Sequence, residues 1–126
     1  MMSSAPPPAS QDQQRPDTVS TASRRRHDRI NLRCPVLVDI KAAPTREGQI
    51  QDLSLQGLSL ITARPIEPGS RCTLRFELVL EGGPRQMALP AKAVYSSYVG
   101  PGAFRIGMLF MALAPEDQTI VRGLLG

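Results

Sequence analysis

The chain has no tryptophan, one histidine, two cysteines, three phenylalanines and two tyrosines, and arginine supplies nearly all of its fifteen basic residues. A single imidazole, His27, rules out any site that needs two, and a Ser/His/Asp mechanism would have to use this one residue. Cys34 and Cys72 each fall in an alternating apolar stretch without a CxxC or CxxxH neighbour, so metal binding is not expected. Two buried free thiols are expected rather than a disulfide. The aromatics fall mostly on core-facing strand positions, which leaves no evident stacking platform for single-stranded nucleic acid. No segment approaches the ~18 apolar residues of a membrane span, and the first residues lack the basic start and apolar run of a secretory signal. A soluble, cytoplasmic protein is expected.

What remains is a chain of 126 residues, enough for one compact domain and a tail. Met1 to Ser23 is rich in Pro, Ser, Gln and Thr and nearly devoid of large apolar side chains. Such a segment cannot bury enough surface to offset its ordering entropy, so a disordered tail is expected over 1–23. Charge is concentrated just after it. Arg24, Arg25, Arg26, Arg29 and Arg33 against the single acid Asp28 account for the whole formal net charge of +4. A local anionic partner follows better from this than a surface coated by nucleic acid or lipid.

From Arg33 onward apolar residues recur with period two, the pattern of strands with one buried face. Cys34, Val36, Val38 and Ile40 alternate, as do Leu58, Leu60 and Thr62, then Cys72 through Leu80. Met87, Leu89, Ala91, Ala93 and Tyr95 repeat the pattern, and Phe104, Ile106, Met108 and Phe110 close it. Breaks fall at Gln56-Gly57, Pro68-Gly69, Gly82-Gly83-Pro84 and Gly100-Pro101-Gly102, where glycine permits positive φ and proline fixes a turn. With a segment near Gln49 to Leu53 the count is six strands. Six short antiparallel strands avoid open edges by closing, so an all-β, six-stranded barrel is expected, with a two-sheet sandwich as the alternative. After Ala114, a proline at the first helical position, acids in the first turn, and Ile120, Val121, Leu124 and Leu125 on one face predict a short helix over 115–125, docked on the barrel mouth.

Two constellations carry chemistry. Arg24-Arg25-Arg26-His27-Asp28-Arg29 sits where a flexible arm, 24–33, passes into the barrel and can fold back over a ligand. Forked guanidinium donors grip phosphate bidentately or stack on a purine. Asp52-Leu53-Ser54-Leu55-Gln56-Gly57 is a strand end running into a turn. Its carboxylate and hydroxyl can read a base edge, and its glycine lets backbone come close to a ligand.

The pair, RxxxR at Arg25 and Arg29 and DxSxxG at Asp52, Ser54 and Gly57, resembles the hallmark motifs of the PilZ domain, a bacterial receptor module for cyclic di-GMP. Phe104-Arg-Ile-Gly-Met-Leu-Phe and Leu113-Ala-Pro-Glu-Asp-Gln are similar to that family's last strand and helix start. The resemblance covers roughly Arg24 to Leu125. It implies a split-barrel fold in which Arg25 and Arg29 hold phosphates and guanine, Asp52 and Ser54 contact guanine edges or phosphate, and Gly57 keeps the turn tight. A basic residue before RxxxR, here Arg24, implies two intercalated ligand molecules per protomer. It also implies a non-catalytic receptor without cofactor or metal, acting through a downstream protein in motility, adhesion, export or virulence.

Other classes remain open. A nucleic-acid binder or protein-binding adaptor would use the same basic arm on phosphates or on a partner. An enzyme would have to draw its base or nucleophile from Asp52, Ser54 and His27.

Overall fold

A computed structural model of the protein describes residues 28–126. The tail expected over Met1–Ser23 lies outside the described residues, as do Arg24, Arg25, Arg26 and His27. Six strands follow one another: β1 Arg29–Ile40, β2 Arg46–Ser54, β3 Gly57–Thr62, β4 Arg71–Leu80, β5 Gly83–Gly100 and β6 Ala103–Phe110, with α1 at Pro115–Leu125. They close in the order β1-β2-β3-β6-β5-β4, every neighbouring pair antiparallel. This is the closed barrel expected, and not a sandwich.

Alternation builds the interior. Val38, Ile50, Leu60, Leu74, Leu89 and Ile106, one from each strand, are all 0% exposed. Truncating any of them costs about 2–5 kcal/mol for a leucine or isoleucine, because the lost transfer energy adds to that of the cavity left behind. Val121 and Leu125 of α1 are buried in the same core, so the helix caps the barrel as expected. Its last turn closes with the Gly126 N–H on the Arg122 carbonyl.

Turn chemistry acts mostly where expected. Gly69, Gly83 and Gly102 take positive φ in the β3–β4, β4–β5 and β5–β6 connections. The long β3–β4 connection is pinned from both sides: Ile66 is buried in the core, and Arg46 Nη1 donates to the Arg64 and Pro65 carbonyls at 3.1 and 2.6 Å.

Three expectations need correction. The first strand begins at Arg29 rather than Arg33, so the second half of the expected arm is already sheet, paired Arg29 to Ser54 and Asn31 to Asp52. Cys34 is only half-buried, in the middle of β1 where the pairing with β2 shifts register, whereas Cys72 is buried; both thiols are free, and burial raises the pKa of each. Tyr95 does not continue the inward series of β5. It is 45% exposed, and Tyr98 is 64% exposed, so the two tyrosines are not core residues.

The physical reason for Tyr95 is a β-bulge. Ala93 pairs with Met108 but Tyr95 pairs with Gly107, so Val94 is an extra residue on β5 and the side-chain alternation reverses after it. A matching bulge lies on β2, where Ile50 pairs with Leu60 and Asp52 with Ser59, leaving Gln51 extra. Ile50 and Leu53 both point inward, three residues apart. Without the bulge Asp52 would share the parity of Ile50 and face the core.

Candidate functional site

The two bulges turn Asp52 and Tyr95 onto one row of the outer wall. Following the register across five strands, Asn31 faces Asp52, Asp52 faces Ser59, Ser59 faces Gly107, and Gly107 faces Tyr95. The row has an acid near one end, small residues at its centre and an aromatic ring at the other end. A groove of about 360 Å³ runs along it, lined by Arg29, Asp52, Ser54, Gly57, Ser59 and Tyr95 among others. That volume is at the small end of ligand sites. A larger depression of about 440 Å³ lies elsewhere, against Asp39, Lys41, Arg71 and Met111, and contains none of the motif residues.

At the acidic end, Arg29 of β1 forms an ion pair with Asp52 of β2. The second arginine of RxxxR and the acid of DxSxxG, 23 residues apart in sequence, therefore meet on adjacent strands. Arg105 of β6 approaches the same carboxylate from the opposite side at 3.9 Å and donates to Ser59 Oγ at 3.3 Å. Asp52 is mostly covered, with 19% of its side chain exposed, while Arg29 and Arg105 keep about half of theirs in solvent at 53% and 41%. Two guanidinium groups thus converge on one carboxylate with donors left over for an anion, which planar five-donor forks allow and ammonium groups do not. Arg33, the outward position after Asn31 on β1, is bonded to Gln51 of the bulge.

Ser54 and Gly57 are brought into the groove wall, but their local roles are structural. Ser54 is 3% exposed; its hydroxyl donates to the Gly57 carbonyl at 3.0 Å and accepts from the Gly57 N–H at 3.1 Å. The hydroxyl closes the β2–β3 turn across Leu55 and Gln56. Gly57 does not need positive φ. A Cβ there would sit 1.9 Å from the Met108 carbonyl oxygen, so the close approach it permits is that of β6 backbone to β3. Gly107 answers a similar demand: its missing Cβ lies 2.1 Å from the Tyr95 ring, which rests directly on the glycine.

Of the six expected site residues, Arg29, Asp52, Ser54 and Gly57 line one groove, and Arg24 and Arg25 lie outside the described residues. Sequence reading missed Ser59, Arg105, Gly107 and Tyr95, which join the site only through strand pairing. Among the described residues no three His, Cys, Asp or Glu side chains gather as a metal site, and no helix is long and apolar enough to cross a membrane.

A closed six-stranded barrel with a capping helix and an arginine-acid groove on its outer wall defines a class of β-barrel domain that comparison identifies. The PilZ domain family matches residues 23–126, and the chain belongs to that family. Among solved structures, it is similar to the inhibitor of motility MotI/DgrA of Bacillus subtilis at a TM-score of 0.68 and 16% identity, over 81% of this chain and 49% of that one. It is similar to the PilZ domain of YcgR from Escherichia coli with c-di-GMP, at 0.63 and 18% identity over 81% and 88% of the two chains. A third is the K. pneumonia MrkH-c-di-GMP complex, at 0.61 and 18% identity over 81% and 51%. The chain spans about half the length of MotI/DgrA and of MrkH. These identities carry the fold alone. No curated protein matches the chain significantly.

Proposed function

We propose that this chain is a cyclic di-GMP receptor: a non-catalytic domain that binds the dinucleotide across the outer-wall groove and transmits that state to a downstream protein. The observation that carries the reading is the meeting of Arg29 and Asp52 in one groove, with Arg105 beside them. A bis-purine diester presents phosphates for guanidinium forks and guanine edges for a carboxylate, and this groove has both. Membership of the PilZ family supports it, as do the similar folds of YcgR and MrkH solved with c-di-GMP. Arg24, Arg25 and Arg29 serve the phosphates and guanine faces, Asp52 a guanine edge, and Ser54 and Gly57 hold the turn that presents Asp52. Arg24 before the RxxxR motif favours two intercalated ligands per protomer. The receptor needs no cofactor and works in the cytoplasm, with motility, biofilm or virulence as the regulated process.

Three or four charge-assisted hydrogen bonds at about 1.5–3 kcal/mol each, less the ordering of the ligating residues, support an affinity near the micromolar scale, about −8 kcal/mol. Calorimetric titration with cyclic di-GMP, against GTP, GMP and cyclic di-AMP, tests the reading. Selective uptake of cyclic di-GMP, returned intact after long incubation, is expected. Equal response to all four, or to none, overturns the assignment; one ligand per chain overturns only the stoichiometry.

A second reading, a nucleic-acid binder, gains from the exposed rings of Tyr95 and Tyr98, since bases stack on such rings without sequence preference. Steeply salt-dependent oligonucleotide binding without dinucleotide selectivity would favour it.

A further inference from the structure

We propose that Tyr95 is a purine-stacking residue of the outer-wall groove, held in its stacking position by Gly107. The inference rests on the receptor reading above and adds a residue outside both sequence motifs.

Three independent features place the ring there. The first is the bulge at Val94, which reverses the alternation of β5 and turns Tyr95 out of the core onto the groove side. Bulges that re-aim a side chain are concentrated near binding sites. The bulge at Gln51 does the same for Asp52, so both ends of the row depend on an irregularity that strand formation alone does not require. The second is Gly107. A Cβ at that position would come within 2.1 to 2.6 Å of three atoms of the Tyr95 ring, so the ring packs against backbone that only glycine leaves bare. The third is exposure. Tyr95 is 45% exposed while lining the groove, so its contact with Gly107 leaves nearly half of the residue open to solvent.

A tyrosine fixed in this way loses little freedom when a base arrives. The contact with Gly107 narrows the positions open to the ring, so the stack forms with less ordering than a loose side chain would need. The spacing also suits a ligand with two bases. The ring leans over β6, two strand spacings from Asp52, which at ~4.8 Å each is roughly 10 Å. A base read edgewise by Asp52 and Arg29 leaves room for a second base on the ring. A mononucleotide reaches one of these positions but not both.

Base-aromatic stacking corresponds to about 5- to 150-fold in affinity per base on truncation of the ring. The test is calorimetric titration with cyclic di-GMP and with GMP, on wild type, Tyr95→Leu, Tyr95→Phe and Gly107→Ala, with a thermal melt of each. Tyr95→Leu is expected to weaken cyclic di-GMP binding at least ~5-fold, and Tyr95→Phe to bind as wild type does. Gly107→Ala is expected to weaken binding with the tyrosine still present, because the new methyl displaces the ring. If Tyr95→Leu melts lower yet binds with unchanged affinity, the ring only covers Gly107 and the proposal is overturned. Loss of binding in Tyr95→Phe as well overturns it too, since the ring would not be what matters. If wild type itself takes up no cyclic di-GMP, the receptor reading fails first, an outcome distinct from equal binding by wild type and Tyr95→Leu.

Discussion

Replacing Gly57 by alanine separates two accounts of the glycine that opens β3, one structural and one concerned with ligand access. The added Cβ would stand 1.9 Å from the Met108 carbonyl oxygen and 3.0 and 3.1 Å from two further backbone atoms of β6. Backbone cannot rotate away as a side-chain tip can, so β3 and β6 must separate by more than an ångström near the Gly57–Leu109 pairing. Overpacking of this kind costs about 1–3 kcal/mol, and a ladder hydrogen bond lost with it adds about 1 kcal/mol. Together roughly 2–4 kcal/mol leaves a domain whose total stability is about 5–15 kcal/mol, and for a barrel of this size the melting temperature should fall by roughly 10–20 °C. Circular dichroism melts of Gly57→Ala beside Gly82→Ala provide the comparison. Nothing lies within 4 Å of a Cβ on Gly82, and its φ is not positive, so that variant should melt within a few degrees of wild type. A Gly57→Ala protein that melts with wild type and only loses ligand would refute the steric argument and restore ligand approach as the reason for glycine.

Other expectations follow from the same geometry. Arg29→Ala and Arg25→Ala should each weaken cyclic di-GMP binding at least ~10-fold by calorimetry; for Arg29 the melting temperature should barely move, because its exposed ion pair with Asp52 contributes about 0–1 kcal/mol. Ser54→Ala should cost about 1–3 kcal/mol in urea unfolding, since it strips both hydrogen bonds from the buried Gly57 backbone. Asp39 titrates low, at about 2 instead of 3.8, because Arg75 and then Thr45 hydrogen-bond its carboxylate. A depressed carboxylate contributes stability that is fully present above pH 3.8 and is lost as the pH falls toward about 2. NMR titration of Arg75→Gln should return Asp39 toward its ordinary value; an unchanged midpoint would remove Arg75 as the cause.

Much of the barrel was legible because alternation is a local signal. Leu58, Leu60 and Thr62 or Cys72, Leu74, Phe76 and Leu78 declare a buried face without reference to anything distant, and proline at 115 with acids after it declares a helix start. The motif residues were legible for a different reason, their resemblance to a family. What escaped was the set of places where alternation breaks. Asp52 and Tyr95 reach the groove only because one extra residue precedes each, and strict period two assigns Tyr95 to the core. A faint signal existed: Ile50 and Leu53 stand three apart in an otherwise alternating strand, and Val94-Tyr95 follows Ala93 without a polar residue between. Arg105 and Ser59 left no local trace at all, because their meeting depends on β3 pairing with β6. The arm was extended too far for a related reason. Arg29 to Arg33 is polar enough to look like leader, yet alternate positions Ile30 and Leu32 pack on the core.

The order in which the ring closes also determines how the molecule must assemble. β1 meets β4, and β3 meets β6, so two of its six seams join segments that synthesis separates by several strands. Neither hairpin β1–β2 nor β4–β5 finishes a wall, and loop-closure entropy must be met before the distant seams reward it. Such a topology belongs with slow folders, in the millisecond-to-second range, which remain open-edged until late. A chain truncated before β6 would therefore be left with no smaller barrel to adopt, and its fate would be set by chaperone capture or aggregation.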